Sequence, residues 1–297
     1  MDSKITVLTP TYNRANQLKN LYISLIMQKN LNFQWIIVDD GSTDDTRIVV
    51  QEFQKNASFP IKYIYQSNKG KHCALNKGIS HINTEYTFIV DSDDILTHNA
   101  IETFYHDEKK INGRDDICGI GYLRGYSDND VIGDKYPCDY EIADYITIRV
   151  NQGVSGDKAE IWKTYDLKNC PFPEITNEIF FGEGYVWFKL ALKKKTLFIN
   201  KIIYITEYLE GGLSKSGRAL RIKCPVGGMM NAEIMMHKPF NLANRFKGTM
   251  LYIAYAKFAK KKFKDILNDT KECFLVFLGY FPGFLLFFIW KKKYLTE

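Results

Sequence analysis

Apolar residues in the N-terminal part of the chain fall into short continuous runs, separated by stretches in which they recur every three or four positions. Residues 4–8, Lys-Ile-Thr-Val-Leu, make the first run and predict a buried strand. Leu18, Leu21, Tyr22, Leu25 and Ile26 share one face at helical spacing, which predicts a helix over about 15–29. Between them, Thr9-Pro10-Thr11-Tyr12-Asn13-Arg14 is expected as a loop: Pro10 keeps Thr9 extended and Asn13 can cap the helix. Phe33 to Val38 reads as a second strand. It is followed by Asp39-Asp40-Gly41-Ser42-Thr43-Asp44, where Ser42 or Asp44 can cap a helix running to about Lys55. Ile61 to Gln66 is a third strand, Gly70 to Ser80 a helix, Tyr86 to Val90 a fourth strand and Thr97 to Lys110 a helix. Strands alternating with helices predict an α/β fold with a mainly parallel sheet flanked by helices. Ligands of such sheets sit beyond the carboxyl ends of the strands, so Pro10–Asn13, Asp39–Ser42 and Asp91–Asp94 are expected to line one crevice.

Asp91-Ser92-Asp93-Asp94 changes that picture most. Three carboxylates within four residues repel one another, and each loses hydration if buried. A fold that gathers them at a strand end recruits a hard cation such as Mg²⁺ or Mn²⁺, which takes oxygen ligands and shares them with substrate phosphates. The plainer use of the same residues is a solvated acidic turn.

The chain has 297 residues, enough for one large domain or two modest ones, and is 45% hydrophobic and 25% charged, as globular proteins are. Its six cysteines are scattered without a Cys-x-x-Cys pair, which argues against a zinc site or a disulfide framework and fits a reducing compartment. A strand begins almost at once, and no secretory signal is expected. The net charge of +6 is concentrated late, at Lys257, Lys260, Lys261, Lys262, Lys264 and Lys291 to Lys293.

The segments Thr9–Arg14, Val38–Asp44, Asn68-Lys69-Gly70 with Ala74–Gly78, and Asp91–Asp94 occur in an order and spacing that resemble glycosyltransferase family 2. Its members are inverting enzymes of the GT-A fold, a Rossmann-like, mainly parallel mixed sheet, and use nucleotide-sugar donors. The resemblance is close to about residue 95 and looser to about residue 220. It implies a catalytic domain over 1–220, with a donor half (1–95) and an acceptor half (96–220); the apolar and basic pattern beyond it predicts a helical, membrane-associated region over 221–297. The resemblance also implies that Pro10, Thr11 and Tyr12 pack around the nucleobase, with Tyr12 offering a flat ring, and that Arg14 belongs to the same donor-binding segment. Asp40 would accept a hydrogen bond from a base N–H, while Asp39 holds the loop. Gly70 would let backbone approach the ligand, and Lys71 is a compact cation suited to a diphosphate. Asn76 would brace the acidic loop. Asp93 would hold a divalent ion (Mn²⁺ or Mg²⁺) between the donor phosphates, and Asp91 would reach the ribose or the metal. Ser92 would lie on the donor, and Asp94 would touch the sugar or cap the next helix. A helix-capping turn around Tyr12 and an exposed lysine at position 71 are the plainer alternatives.

Inversion by direct displacement needs a base for the acceptor hydroxyl. The family supplies it near a Glu-Asp pair opening an aromatic helix. Here Phe181-Gly182-Glu183-Gly184-Tyr185-Val186-Trp187 puts Gly184 in the Asp place, leaving Glu183 as the candidate base and Trp187 as an acceptor contact. Asp157, ahead of Lys158, is the runner-up, and the two could shape the acceptor pocket. Glu183 could equally be a helix cap. Tyr208 to Ser214 reads as a turn-rich loop which, with Arg218 and Arg221, could close over the diphosphate.

Phe274 to Trp290 is almost wholly apolar, divided by Pro282-Gly283 and flanked by lysines on both sides. It predicts a re-entrant or interface-lying pair of helices, preceded by a surface-binding helix over Phe246 to Phe263. Lysines beside such apolar surface favour anionic lipid over nucleic acid. Burial against the catalytic domain or a homo-oligomer contact is the alternative. The expected protein is a metal-dependent transferase, peripheral on or re-entrant in the inner face of the cell membrane. It would move a sugar, from UDP rather than GDP, to a glycan or lipid-linked acceptor in surface-polysaccharide assembly. Two rivals remain: a sugar nucleotidyltransferase, which would want a Gly-rich basic signature near the first strand, and a catalytically silent nucleotide-sugar-binding scaffold.

Overall fold

The computed structural model describes residues 3–206 and 213–295. β1 (Ile5–Thr11), α1 (Ala15–Ile26), β2 (Gln34–Asp39), α2 (Thr46–Asn56), β3 (Ile61–Tyr65), α3 (Lys71–Ser80) and β4 (Tyr86–Ile89) alternate as the periodicity predicts. They are followed by β5 (Ile95–Leu96), α4 (Ala100–Asp107), β6 (Ile117–Ser127), β7 (Asp130–Val131), β8 (Glu141–Ala143), β9 (Lys158–Lys163), α5 (Thr164–Lys168), α6 (Gly184–Ala191) and β10 (Lys195–Ile205). The strands form one mixed sheet in the order β3-β2-β1-β4-β9-β6-β10-β5, with β7 on β6 and β8 on β10. β1 to β4 pair in parallel, as do β6 and β10, while β9 runs antiparallel between β4 and β6.

The two-residue period of the strands sorts the core into two layers. Ile5, Val7, Trp35 and Ile37 face Leu18, Leu21, Leu25 and Phe53 of α1 and α2. Leu8, Ile36 and Val38 face Ala74, Leu75 and Ile79 of α3, in a layer that continues to Leu167, Val186 and Leu190 of α5 and α6. The loops after β1, β2 and β4 therefore open at the same edge of the sheet.

Two expectations at that edge are corrected. Pro10 and Thr11 lie inside β1, with Pro10 opposite Val38, whereas β4 pairs only as far as Leu8 with Ile89. Leu8 O accepts from Val90 N on the β4 side (3.0 Å). Pro10, two residues on, faces the same side beyond the end of that ladder, so its missing N–H breaks no pairing. Asn13 does not cap α1. It takes a positive φ of 51°, and its side chain accepts from Thr43 N (2.8 Å) while its own N–H donates to Ser42 Oγ (2.8 Å). The first turn of α1 is met instead by Asp44, which accepts from Ala15 N (3.1 Å) and also from Thr46 N (3.1 Å) at the start of α2.

A third cluster forms the C-terminal unit from α7 (Leu213–Lys223), α8 (Pro225–Ile234), α9 (Leu242–Phe258), α10 (Phe263–Asn268) and α11 (Cys273–Leu295). Of the expected loop at 208–214, residues 207–212 lie outside the described residues, and Leu213 already opens α7. α11 is one continuous helix, not a pair broken at Pro282-Gly283. A proline inside a helix costs about 3 kcal/mol, and close packing offsets it. A Cβ on Gly279 would stand 2.7 Å from Thr249 Cγ2, and one on Gly283 2.7 Å from Ile253 Cβ, so the two glycines let α11 lie directly on α9. α9 in turn buries Tyr252 to Ala256 inside this cluster, so Phe246–Phe263 is a packed scaffold and not a free surface helix. Gly283→Val is expected to lower stability by about 1–3 kcal/mol through overpacking. Denaturant unfolding measures it, and an unchanged midpoint would refute the close contact.

Candidate active site

Asp91, Asp93, Asp94 and Glu183 meet three cations drawn from different elements. Lys71, the first residue of α3, places Nζ 2.6 Å from Asp91 Oδ1 and 2.7 Å from Glu183 Oε1. Arg14, ahead of α1, places Nη1 3.2 Å from Asp93 Oδ2. Arg124 of β6 lies 3.5 Å from Asp94 Oδ2, with its guanidinium 3.9 Å above the Tyr204 ring. Burial works against ionised Asp91, but the charges of Lys71, Arg124 and Arg14 together bring its pKa below the usual carboxylate range. Burial likewise opposes the Lys71 ammonium, and Asp91 and Glu183 more than restore it. Asp94 behaves differently: burial, reinforced by the charge of Asp91, pushes it up to about 7.

Glu183 stands at the N-cap of α6, yet its side chain caps nothing; its carboxylate goes to Lys71. A local fold brings it there. Gly70 has a φ of 94°, and a Cβ on it would lie 2.0 Å from Ile179 O. The close backbone approach expected at Gly70 is thus to the segment leading to Glu183, not to a ligand. Asn76 grips the same segment, donating to Phe172 O (2.8 Å) and accepting from Phe172 N (2.9 Å), so it braces residues 172–174 and not the acidic loop.

The two aspartates after β2 divide their work. Asp39 accepts from Ser42 N (2.7 Å) and the Tyr63 hydroxyl (2.5 Å). Asp40, 4% exposed, accepts from Gln66 Nε2 (2.8 Å), Lys69 N (2.9 Å) and Gly70 N (2.8 Å). Loop-holding, expected of Asp39 alone, therefore falls to both. A carboxylate has about four lone-pair sites, which leaves Asp40 about one for a further donor. Beside them the Tyr12 ring is 48% exposed, and Thr11 Oγ1 is buried without a hydrogen-bond partner. Pro10, inside β1, and Ser92 are buried.

A model of the glycosyl transferase family 2 matches residues 6–187. The chain belongs to glycosyltransferase family 2. It is 30% identical over 231 residues to the glycosyltransferase GlyG of Streptococcus pneumoniae serotype 4, covering 74% of each chain. It is 28% identical over 238 residues to GlyA of the same organism, but this spans 72% of the chain and only 32% of GlyA. The GalNAc(5)-diNAcBac-PP-undecaprenol beta-1,3-glucosyltransferase of Campylobacter jejuni is 30% identical over 209 residues, 68% of this chain and 64% of that protein. Among solved structures, Staphylococcus aureus TarS 1–349 with UDP-GlcNAc superposes with a TM-score of 0.62 at 19% identity, over 94% of this chain and 79% of that one. The mannosyltransferase PcManGT of Pyrobaculum calidifontis, with GDP-Man and Mn²⁺, gives 0.58 at 16% identity, over 100% and 89%. These likenesses establish the GT-A fold.

In this transferase several expected site residues stand elsewhere. Trp187 is a core residue, stacked on Trp162 (4.9 Å) with its edge to Phe172, because it shares the buried face of α6 with Val186 and Leu190. Arg218 donates to the Tyr255 hydroxyl (3.0 Å) and lies 4.3 Å over Trp290, inside the C-terminal unit. Arg221 lies 5.9 Å over Phe180. Asp157 is exposed in the turn before β9. Lys158 turns inward, donating to Ile132 O (3.1 Å) and Ser155 O (2.7 Å), and burial pushes it down to about 8. Conversely, Arg124, Tyr204 and Glu160 belong to the site's electrostatics although no motif marks them. A lone arginine ending the apolar run of β6 is the one signal the sequence carried.

Among the described residues no group of three His, Cys, Asp or Glu side chains could enclose a cation. Asp91 and Asp93 still suit a Mg²⁺ or Mn²⁺ ion that takes its remaining ligands from phosphates and water, since such ions are commonly held by one or two carboxylates.

Lys71→Met should leave Asp91 and Glu183 facing each other without their shared cation. All three are about a quarter exposed, which limits the expected loss of stability to about 1–2 kcal/mol. Adding Glu183→Gln should recover part of it. Equal denaturant midpoints for wild type and Lys71→Met would contradict the bridge.

Proposed function

We propose that the protein is an inverting transferase that moves one sugar from a nucleoside-diphosphate sugar, UDP in preference to GDP, to a glycan or lipid-linked acceptor. The observation that carries this reading is the Lys71 bridge, which sets the candidate base beside the first aspartate of the Asp91–Asp93 pair. Tyr12 stacks on the base. Thr11 Oγ1 and the remaining acceptor site of Asp40 meet its polar edge. Asp91 and Asp93 hold Mg²⁺ or Mn²⁺ with the donor phosphates; when bound, the ion neutralises charge on the departing diphosphate. Glu183 takes the proton from the acceptor hydroxyl as its oxygen bonds to the anomeric carbon, and the electron pair of the broken bond leaves with the nucleoside diphosphate. The donor's diphosphate competes for Lys71, which frees Glu183 to act. The UDP-GlcNAc bound by TarS fits the UDP preference, and the nucleotide-sugar with Mn²⁺ bound by PcManGT fits a metal-assisted donor site, though its base is guanine. The undecaprenol-linked acceptor in the name of the Campylobacter relative fits a lipid-linked glycan in surface-polysaccharide assembly.

A thermal-shift comparison of UDP, GDP, CDP and dTDP, each with Mn²⁺ or with EDTA, tests the donor site, because a ligand that binds only the folded state raises its stability. One nucleotide should raise the melting temperature, in a manner that needs both metal and an intact Asp93. No metal-dependent shift from a folded sample would favour a silent scaffold. Glu183→Gln should keep the shift and lose transfer.

Residence at the inner face of the membrane is part of the proposal. Phe274, Phe277, Leu278, Phe281, Leu285, Phe288 and Ile289 form an exposed stripe along α11, opposite the stripe that rests on α9. Exposed Lys262, Lys264, Lys271, Lys291 and Lys293 suit anionic headgroups. α11 is long and apolar enough to cross a membrane, but crossing would carry α9 with it. Arg245, Lys247 and Lys257 would then enter the bilayer, at a cost that reaches about 2.5–3.5 kcal/mol for a charge at its centre, which favours α11 lying in the interface. Wild type should float with phosphatidylglycerol vesicles, and Phe277→Glu/Phe281→Glu should not. A soluble dimer that ignores the vesicles would make the stripe a subunit contact instead.

A further inference from the structure

We propose that Tyr204 is the positioning residue of the acidic turn: one hydroxyl fixes Asp91 and Asp94 together and thereby sets the affinity for the nucleotide. The inference rests on the donor reading above, but its geometry is independent of it. Tyr204 lies near the end of β10 and is fully buried. Its hydroxyl accepts from Asp91 N (2.9 Å) and donates to Asp94 Oδ2 (2.7 Å). The turn closes on itself through Asp94 N to Asp91 O (3.2 Å). The first and last residues of Asp91-Ser92-Asp93-Asp94 are thus tied to one oxygen as well as to each other, and Asp93 is carried between them.

The phenol is itself held. The Arg124 guanidinium covers one side of the ring at 3.9 Å, and Phe88 of β4 meets it edge-on at 6.1 Å. Arg124 cannot drift, because its Nε donates to Lys158 O (2.8 Å) at the start of β9. β4, β6, β9 and β10 therefore all contribute to the placement of a single oxygen. A phenol oxygen can donate once and accept, and here it does both. Phenylalanine keeps the ring and removes both bonds, leaving a buried amide and a buried carboxylate short of a partner. No other residue of β10 hydrogen-bonds to the turn among the described contacts.

The test compares wild type, Tyr204→Phe, Asp94→Ala and the double variant by hydrogen–deuterium exchange and by calorimetric titration with UDP and with GDP in MnCl₂. Tyr204→Phe should speed amide exchange in the segment 90–95 while the rest of the sheet exchanges as before. It should also weaken the bound nucleotide about tenfold, a change of about 1.4 kcal/mol. The losses in Tyr204→Phe and Asp94→Ala should fail to add, since both remove one contact. Exchange and affinity equal to wild type in Tyr204→Phe would overturn the proposal, and so would faster exchange spread through the whole sheet. Should wild type bind neither nucleotide, the donor reading fails, and exchange confined to 90–95 still decides whether Tyr204 positions the turn. Asp94→Ala, which keeps the tyrosine and removes its acceptor, supplies the same readout if Tyr204→Phe does not fold.

Discussion

Carboxylates gathered at one edge of a sheet are the constraint from which the site follows. Asp91, Asp93, Asp94 and Glu183 converge where each loses hydration and feels its neighbours, and the fold balances them with Lys71, Arg14 and Arg124. Those cations come from the start of α3, the loop after β1 and the body of β6. No single segment is electrically balanced by itself. Glu183 and Asp94 find their cations only when β6 and the segment ending at Glu183 pack against the first four strands, so the site is set by tertiary packing and not by a local motif.

Close approach of backbones does the docking. A Cβ on Gly41 would meet Asn68 N at 2.7 Å, and Gly70 admits the carbonyl of Ile179 still more closely. Asp40 then ties the loop over 66–70 to the end of β2, so the residue before Lys71 is fixed from two sides. Side chains at either glycine would push the loops apart and move Lys71 away from the two carboxylates it joins.

The strand–loop order of the first half was legible because it is local: runs of apolar residues, helical spacing, and acidic or turn-forming residues at strand ends. The Asp91, Asp93 and Glu183 neighbourhood was legible only through the family resemblance, since Glu183 lies far along the chain from Lys71. Arg124 and Tyr204 were hidden for a related reason. Their contacts to Asp91 and Asp94 span long stretches of sequence, and a tyrosine in Ile-Ile-Tyr-Ile looks like any core strand residue. Pro10 and Pro282 look alike in sequence, each as an interruption, yet one falls where a ladder has already ended and the other where packing on α9 sustains the helix. Trp187 shows the opposite error, since an aromatic beside a candidate base is also what a helix needs to bury its inner face.

Arg218, bound to Tyr255 and lying over Trp290, was expected over the donor and instead marks a route between the two ends of the molecule. Trp290 packs on Tyr255, and Tyr255 fills the space a side chain on Gly228 would need. The neighbouring amides of Val226 and Gly227 are held by Glu178 (2.7 and 2.8 Å). Glu178 precedes Ile179, which rests on Gly70, and Gly70 precedes Lys71. Every step is a direct contact. The exposed apolar helix α11 is therefore no detachable appendage but a mechanical boundary of the catalytic edge: shortening the chain before α11 would remove the far wall against which the segment carrying Glu183 is braced.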